Sequence, residues 1–341
     1  MDAMDASALK AQQARRIAWV AAGAFFCVGF VLAVWWFLGS SSRVVAVKPG
    51  ARLLGISGGT LIWHGRTCSV WQSELDGARA PEPLEPLLYL AECPPDDPRF
   101  AGGVVYHLSG QGRVTRNSPG HRGVMLERSL AYALALDGHE LFVGNCALRD
   151  NCQIERLPAE DDPGDPLLMQ AGILALANME VDGKEIFWVD RGRHRPDCRA
   201  EGTEDQPPRP LRCKDPVPPR LMAASKREPR ASERVVVSDF DGRRPLLGSG
   251  HVYWLGAGGV HRVPKAGGSN QLLLPTGALS GFAADGDDVF FAADDGIFRA
   301  RDGGDARLFQ RTASPPRGVA VDAGHVYWID ADQNAIFRRR R

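Results

Sequence analysis

The amino-acid sequence predicts an all-β protein, a β-propeller of seven blades, and two observations carry this prediction. One unit recurs: an aromatic and β-branched strand, a turn, and a strand reading Gly, Ile or Val, any residue, Arg, as in Gly296–Arg299. Five of the six spacings between copies lie between 36 and 45 residues, which suits a four-stranded propeller blade. The first aromatic-site residues of the seven copies are Ile62, Tyr106, Phe142, Phe187, Tyr253, Phe290 and Tyr327.

The number of blades has one alternative. The second copy, around Tyr106, lacks a clear first strand, so it is either a blade or a decorated part of the first copy. The second case would leave six blades. In either case we expect the aromatic sites to fill the space between blades, in preference to a carbohydrate-binding role, because propeller interiors are filled by large apolar side chains.

Each blade should contain four strands, A to D. In the sixth copy we expect them near 281–284, 288–292, 296–300 and 306–311. The seventh copy has only three strands before the chain stops at Arg341, whereas 43–48 is a strand without a blade. We therefore expect Val44, Val45 and Val47 to pair with the strand at 336–338, which would close the ring and cover two sheet edges.

The N-terminal region predicts a membrane anchor. Residues 17–39 carry no charge in 23 positions, which is long enough to span a bilayer. A cleaved signal peptide is the alternative, but the bulky Trp35 and Trp36 suit a membrane interface better than a cleavage site. The domain prediction is a cytoplasmic tail over 1–16, a transmembrane helix over 17–39 and a propeller over 40–341.

The cysteines predict the compartment. Apart from Cys27 in the apolar segment, six cysteines group by proximity into three pairs, which favours disulfides and therefore a periplasmic or extracellular propeller. Free buried thiols in a cytosolic domain are the alternative. No pair has the Cys-x-x-Cys spacing of a zinc site. The predicted pairs are Cys68 with Cys93, Cys146 with Cys152, and Cys198 with Cys213.

A long insertion interrupts the fourth copy. Residues 191–219, between its strands B and C, are rich in Pro and charge and show no apolar periodicity. We expect a loop that is disordered or held by the Cys198–Cys213 pair. It is the candidate partner-binding loop, and its candidate contact residues are Arg191, Arg193, His194, Arg195 and Arg212.

Strand order predicts which side faces the membrane. The B–C and D–A connections lie on one face of a propeller, and the six cysteines belong to them by this interpretation. The closing strand enters from the opposite face, so that face should lie against the bilayer. The four arginines 338–341 should end there, as a solvated tail or as a contact with anionic headgroups.

The quartets Tyr327–Asp330 and Phe187–Asp190 resemble the YWTD signature of low-density-lipoprotein-receptor-type propellers. The strand ending in Arg and the Gly267-Gly268 and Gly303-Gly304 turns resemble the same broad group, including bacterial TolB- and NHL-like propellers. The resemblance covers residues 50–341 and implies the fold. It implies little about function, because this fold carries many functions.

Motifs for chemistry are absent from the sequence. There is no nucleophile elbow, H-E-x-x-H or phosphate loop, and we predict no catalytic, cofactor or metal residues. The pairs Asp239/Asp241 and Asp330/Asp332 suit turns better than calcium. The repeated arginines 116, 156, 262, 299 and 338 should join blades. The 41 basic and 41 acidic residues balance, which argues against nucleic acid.

Together these features predict a membrane-anchored, extracytoplasmic binding or scaffold module of the bacterial envelope, single-pass, with its N-terminus in the cytoplasm. Its partner would be an envelope protein or ligand. The alternative is a propeller enzyme of the lactonase or sugar-dehydrogenase type, which would need carboxylates, His and Asn gathered in the central channel. No such set recurs near the starts of the A strands, so binding is favoured.

Overall fold

Seven four-stranded antiparallel sheets make up the chain, and they form a seven-bladed β-propeller. The computed structural model describes residues 41–65, 70–83, 98–101, 104–108, 112–118, 121–126, 131–148, 151–159, 166–193, 197–199 and 212–341. The six-blade alternative is wrong, because the second copy has its own A strand at Arg99–Ala101. In every sheet the strand order runs from A to D.

The first three blades each use four consecutive strands. Blade 1 contains β2 (Arg52–Ser57), β3 (Thr60–His64), β4 (Val70–Glu74) and β5 (Glu82–Pro83). Blade 2 contains β6 (Arg99–Ala101), β7 (Val104–Leu108), β8 (Val114–Ser118) and β9 (His121–Leu126). Blade 3 contains β10 (Ala131–Asp137), β11 (Glu140–Leu148), β12 (Asn151–Pro158) and β13 (Leu167–Ile173).

Blade 4 contains β14 (Leu176–Val181), β15 (Glu185–Asp190), β18 (Arg220–Ser225) and β19 (Arg234–Ser238), with the short helix α1 (Pro229–Ser232) before β19. Its B and C strands are separated by the hairpin β16 (Asp197–Arg199) and β17 (Arg212–Lys214). Blade 5 contains β20 (Arg243–Leu247), β21 (His251–Gly256), β22 (Gly259–Pro264) and β23 (Gln271–Pro275).

Blade 6 contains β24 (Leu279–Asp285), β25 (Asp288–Ala293), β26 (Gly296–Arg301) and β27 (Arg307–Arg311). These bounds agree with the strands predicted for the sixth copy. Blade 7 contains β28 (Pro316–Val321), β29 (His325–Asp330), β30 (Ala335–Arg340) and β1 (Ser42–Ala46), and β1 is its outermost strand.

The N-terminal strand therefore closes the ring as predicted. β1 runs antiparallel to β30, with Val45 opposite Ile336. It also has a β-bulge between Arg43 and Val45 that places one extra residue, Val44, on the outer strand. Five other blades have the same bulge at the same register between strands C and D. Because bulges twist an edge strand away from further pairing, these outer edges are protected against association.

The aromatic sites are the core of the molecule. All seven are at most 2% exposed, which confirms the predicted packing role. They join neighbouring blades: Phe187 clusters with Trp254 of blade 5, and Tyr327 clusters with Trp63 of blade 1. Burial of a large apolar side chain stabilises the fold by about 1.5–3 kcal/mol, so the interfaces between blades hold the ring together.

The predicted membrane anchor lies outside the described residues, as do the predicted cytoplasmic tail and the start of the propeller domain at residue 40. Within the part of the chain that the structure describes, no helix is long and apolar enough to cross a membrane.

Candidate binding face

The two faces of the propeller differ in the connections that they carry. Strands A start, and strands B end, at the face that we call the arm face, which carries the B–C and D–A connections. The A–B and C–D connections form the opposite turn face. Each A strand contacts the A strands of both neighbouring blades, so the seven A strands surround a central channel that joins the two faces.

The arm is the insertion at 191–219, and it extends the B–C hairpin of blade 4 out of the arm face. Beyond the last pair of the blade, Asp190 with Arg220, backbone hydrogen bonds of 2.8 and 3.0 Å join Arg193 and Val217. Further out, β16 and β17 pair with Cys198 opposite Cys213. The insertion therefore contains a two-stranded sheet of its own, and the expectation that the Cys198–Cys213 pair holds it stays a prediction.

A glycine allows the arm to leave the blade. Gly192 has a φ of +64°, and a Cβ there would lie 2.0 Å from the carbonyl oxygen of Val217. Any other residue would push the two sides of the arm apart at this point. The arm base is therefore built for close approach of two backbones.

Buried aspartates hold the base of the arm and its counterpart in blade 7. Asp190, 3% exposed, accepts hydrogen bonds from the backbone N–H groups of Ala175 and Gly192 at 3.2 and 3.0 Å. Its other oxygen pairs with Arg220 at 2.8 Å. Asp330 accepts from the Ser314 hydroxyl at 2.8 Å and from the N–H of Gln333 at 2.9 Å. The aspartate of each quartet thus fixes a turn at the arm face.

The two aspartate pairs that were weighed as calcium ligands lie in turns, and one side chain of each pair bonds to turn backbone. Asp330 holds the turn that contains Asp332, and Asp241 accepts a hydrogen bond from the N–H of Ala257 at 2.8 Å. Among the residues that the structure describes, no group of three His, Cys, Asp or Glu side chains is arranged to hold a metal ion.

Four of the six predicted disulfide cysteines lie in the B–C connections of adjacent blades on the arm face. Cys146 and Cys152 form the predicted disulfide, across the hairpin of β11 and β12. Cys198 and Cys213 are directly opposite in the arm. Cys68 and Cys93 lie outside the described residues, and their pairing stays a prediction.

The candidate contact residues of the arm are placed only in part. Arg191 is exposed at the arm base, and Arg193 is half-buried beside it. Arg212 lies in β17. His194 and Arg195 lie outside the described residues, so the role of this set stays a prediction.

Sequence reasoning missed the basic residues of the channel. Arg52, Arg244 and Arg317 lie in the first two residues of strands A of blades 1, 5 and 7, at the arm face. The repeat pattern does not mark these residues, because most A strands contain an irregular register that differs between blades. Deeper in the channel, Arg99 donates to the carbonyl oxygens of Leu134 and Met179, both at 2.9 Å.

The turn face carries a repeated contact that we call the blade clasp. In it, the residue directly after strand C contacts the aromatic site or the A–B turn of the preceding blade. Lys226 pairs with Asp137 at 2.5 Å and lies over the ring of Phe142, and Lys265 pairs with Asp182 at 2.6 Å. The other residues in this position within the described part of the chain are Leu75, Ala159, Asp302 and Arg341.

The chemistry of the clasp changes from blade to blade in a complementary way. Arg341 bonds to Asp285 and Asp288 and lies over Phe290. Where the residue after strand C is Asp302, the aromatic site is Tyr253, whose hydroxyl donates to it at 2.6 Å. Tyr106 likewise donates to the carbonyl oxygen of Ala159 at 2.9 Å. On the turn face these contacts hold neighbouring blades together.

The clasps shift the acidity of their members. Burial alone would lower the pKa of Lys226, but hydrogen bonds to Asp137 and Glu140 outweigh it and raise that pKa. Burial would raise the pKa of Asp302, but hydrogen bonds from Tyr253, Ser249, Gly250 and His251 lower it. Burial and the bond to Asp302 raise the pKa of Tyr253 well above its usual value. The clasps of Lys226 and Asp302 thus stabilise the ionised forms of these two groups.

Asp302 also gathers Ser249 and His251, residue types found in hydrolases. The Ser249 hydroxyl donates to Asp302 at 2.8 Å and is 2.7 Å from Asp287, and the His251 ring lies 3.2 Å from the same Asp302. A catalytic triad needs the histidine between the serine and the carboxylate. Here both side chains converge on the carboxylate, which suits a clasp.

The C-terminal arginines do not form a tail. Residues 335–340 form β30, Arg341 is a clasp residue, and Arg339 lies over Phe309. Of the arginines predicted to join blades, Arg262 and Arg338 do so, through the carbonyl oxygens of Gly304 and Leu75. Arg156 and Arg299 instead pair with acids of their own blades.

No protein-family model and no curated protein sequence matches the chain. Solved structures show the same fold at low sequence identity. The extracellular domain of BT4673 from B. thetaiotaomicron is similar with a TM-score of 0.56 and 8% identity, over 89% of this chain and 40% of that chain. PorZ from Porphyromonas gingivalis gives 0.55 and 10%, over 87% and 37%.

YCF48 bound to D1 peptide is similar over nearly its whole length. Its TM-score is 0.53 at 12% identity, and the match covers 87% of this chain and 96% of that chain. At these identities the similarity establishes the propeller fold alone. The more specific resemblance to YWTD, TolB and NHL-like propellers stays a prediction.

Proposed function

We propose that the chain is a membrane-anchored, extracytoplasmic propeller of the bacterial envelope that binds a protein or ligand partner through its arm face. The arm carries this proposal. It is the longest B–C connection in the described residues, and a backbone ladder, Gly192 and the buried Asp190 hold its base. Loops held on a rigid scaffold are where binding residues concentrate.

The rest of the geometry agrees with an outward-facing arm. β1 begins at Ser42 on the turn face, so only residues 40 and 41 lie between it and the proposed helix, roughly 7 Å of extended chain. The turn face would then lie near the bilayer and the arm face would point away. The Cys146–Cys152 disulfide suits an oxidising compartment. YCF48, a protein of similar fold, was solved with a bound peptide, so this architecture can hold one.

The enzyme alternative receives no such support. In the arm-face half of the A strands, the charged residues that the structure describes are arginines. An enzyme of the lactonase or sugar-dehydrogenase type would need carboxylates and histidines there.

Shortening the arm tests the proposal. Replacing 194–216 by an Asn-Gly turn keeps the Arg193–Val217 pair and gives a two-residue hairpin. The shortened full-length chain should melt within about 2 °C of the native chain, because surface changes seldom alter stability much. In intact cells, the partner that crosslinks to the native chain should no longer be captured by the shortened chain. Capture that persists unchanged would show that the partner binds elsewhere.

A further inference from the structure

The exposed apolar side chains of the propeller are concentrated on its outer rim. In the described part of the chain, six large apolar side chains are exposed, and five of them lie in the first two residues of a D strand. These five are Leu167, Leu168, Val235, Leu272 and Leu308. D strands are the outermost strands and begin at the turn face, so the exposed apolar surface collects where the rim meets the turn face.

The pairing of strands C and D places these side chains at one level of the ring. In blades 3 to 6 the D strand begins opposite the same position of strand C, which is Arg156, Ala223, Arg262 or Arg299. The exposed residue comes next along each strand. We call these four equivalent residues the rim arc, and they are Leu168, Val235, Leu272 and Leu308.

The N-terminal strand enters blade 7 at the same level. β1 is the D strand of that blade, and Ser42 pairs with Arg338, the equivalent of the arginines in the other C strands. Arg43, which is exposed, takes the position of the rim arc in blade 7. Only residues 40 and 41 separate Ser42 from the proposed membrane helix, roughly 7 Å of extended chain. The rim arc therefore lies at the height at which the chain would leave the bilayer.

The core does not use the side chains of the rim arc. Leu273 and Phe309, the residues that follow two of them, pack against the core, whereas Leu272 and Leu308 are 51% and 44% exposed. A single exposed leucine is ordinary, but the same exposure on four consecutive blades makes a band. The bulge that directly follows each position turns the strand edge away from further pairing. The band therefore offers side chains, and not a strand edge, for contact.

Blade 1 differs at the corresponding positions. Its D strand pairs Glu82 with Gln72 and Pro83 with Trp71, and both Glu82 and Pro83 are exposed. The apolar band thus runs from blade 3 to blade 6, reaches the entry of the chain at blade 7, and stops before blade 1. A surface that contacts the band would meet one side of the ring more closely than the other.

From this arrangement we propose that the rim arc inserts into the headgroup region of the bilayer beside the anchor, with the ring tilted so that blade 1 stands farther from the lipid. The inference rests on the membrane anchor of the proposed function. Apolar side chains at the boundary of headgroups and acyl chains are held there by hydrophobic burial, which needs no charged lipid. A tether of two residues keeps the rim close to the lipid, so weak insertion by a few side chains is enough.

Fluorescence quenching on the full-length chain in phosphatidylcholine nanodiscs tests this. An environment-sensitive fluorescent amino acid replaces Leu272 or Leu308. The control positions are Pro83, in the arc position of blade 1, and Arg191, exposed on the arm face. Nitroxide at the lipid headgroup should quench positions 272 and 308 at least about threefold more strongly than the controls, since interfacial side chains lie within roughly 5–10 Å of the headgroup boundary. Equal quenching at 83 and 308 would overturn the proposal.

A matched pair of variants tests whether the apolar side chains hold the rim at the lipid. With the reporter at position 308, V235S/L272S should lose at least about half of the quenching, because it removes two of the inserted side chains. Y132S removes an apolar side chain that is 53% exposed at the arm-face end of an A strand, and should leave the quenching unchanged. Equal losses in the two variants would overturn the proposal.

The outcome is separable from the proposed function. If the chain does not enter nanodiscs, the proposed anchor fails, and this inference fails with it. If the chain enters nanodiscs but positions 272 and 308 are not quenched, only the insertion of the rim fails. Two other occupants of the band would also overturn it. A second copy would shift the emission to the blue with rising protein concentration in detergent, without lipid, and a protein partner would crosslink from position 308 in intact cells.

Discussion

The two faces of this propeller use their polar residues for different purposes. On the turn face, charged groups such as Lys226, Lys265 and Asp302 are paired across blade junctions within 3 Å. On the arm face, Asp190 and Asp330 hold turns, while Arg191 is exposed at the base of the arm. Short connections with paired charges fasten the ring on the turn face, whereas the long connection occurs on the arm face.

The clasps show how one structural position tolerates different residues. A lysine or arginine after strand C accompanies Phe in the preceding blade, and Asp302 accompanies Tyr253. Each pairing keeps an attraction between neighbouring blades, although the charge of the residue after strand C is positive in some blades and negative in another. A face that must keep such pairs is poorly suited to exchange partners, and this is why we assign binding to the other face.

The largest expected effect comes from removing β1, the N-terminal strand that completes blade 7. A chain that begins at Arg52 lacks β1 and exposes the edge of β30, together with the cluster that contains Ile336 and Tyr327. Loss of the partly buried Val44, Val45 and Val47 should lower the melting temperature by about 10 °C or cause aggregation, relative to a chain that begins at Ser41. Equal melting temperatures of the two chains would refute the closure.

A smaller effect is expected from opening one clasp. Lys226→Met leaves Asp137 without the ammonium that lies 2.5 Å away, and leaves Glu140 with Arg156 as its remaining cation. The free energy of unfolding in urea should fall by about 1–3 kcal/mol. The matched change on the arm face, Arg191→Met, should alter it by less than about 0.5 kcal/mol. A loss at Arg191 as large as that at Lys226 would remove the distinction between the faces.

The sequence predicted the architecture better than the site. Blade number, the closing strand and the Cys146–Cys152 pair follow from periodicity and spacing, which are local properties of the chain. The clasps escaped prediction because Lys226 and Asp137 are far apart in sequence and meet only through adjacent blades. The backbone pairing of β16 with β17 and of Arg193 with Val217 was not predicted, because the Pro-rich, charged composition of the arm lacks the alternating apolar pattern of a strand.

The positions of the channel arginines were also beyond sequence reasoning, for a different reason. Arg244 and Arg317 lie where the A strands shift register, and a shift of one residue moves a side chain from the blade interface to the channel. Alternation alone does not place such residues.

Site-specific photocrosslinking in intact cells tests the difference between the faces most directly. A photoreactive residue is placed at Arg191, exposed at the base of the arm, or at Lys184, exposed in the A–B turn of blade 4 on the opposite face of the same blade. We expect a specific crosslinked partner from position 191 and none from position 184. The same partner captured from 184 but not from 191 would contradict the assignment of binding to the arm face.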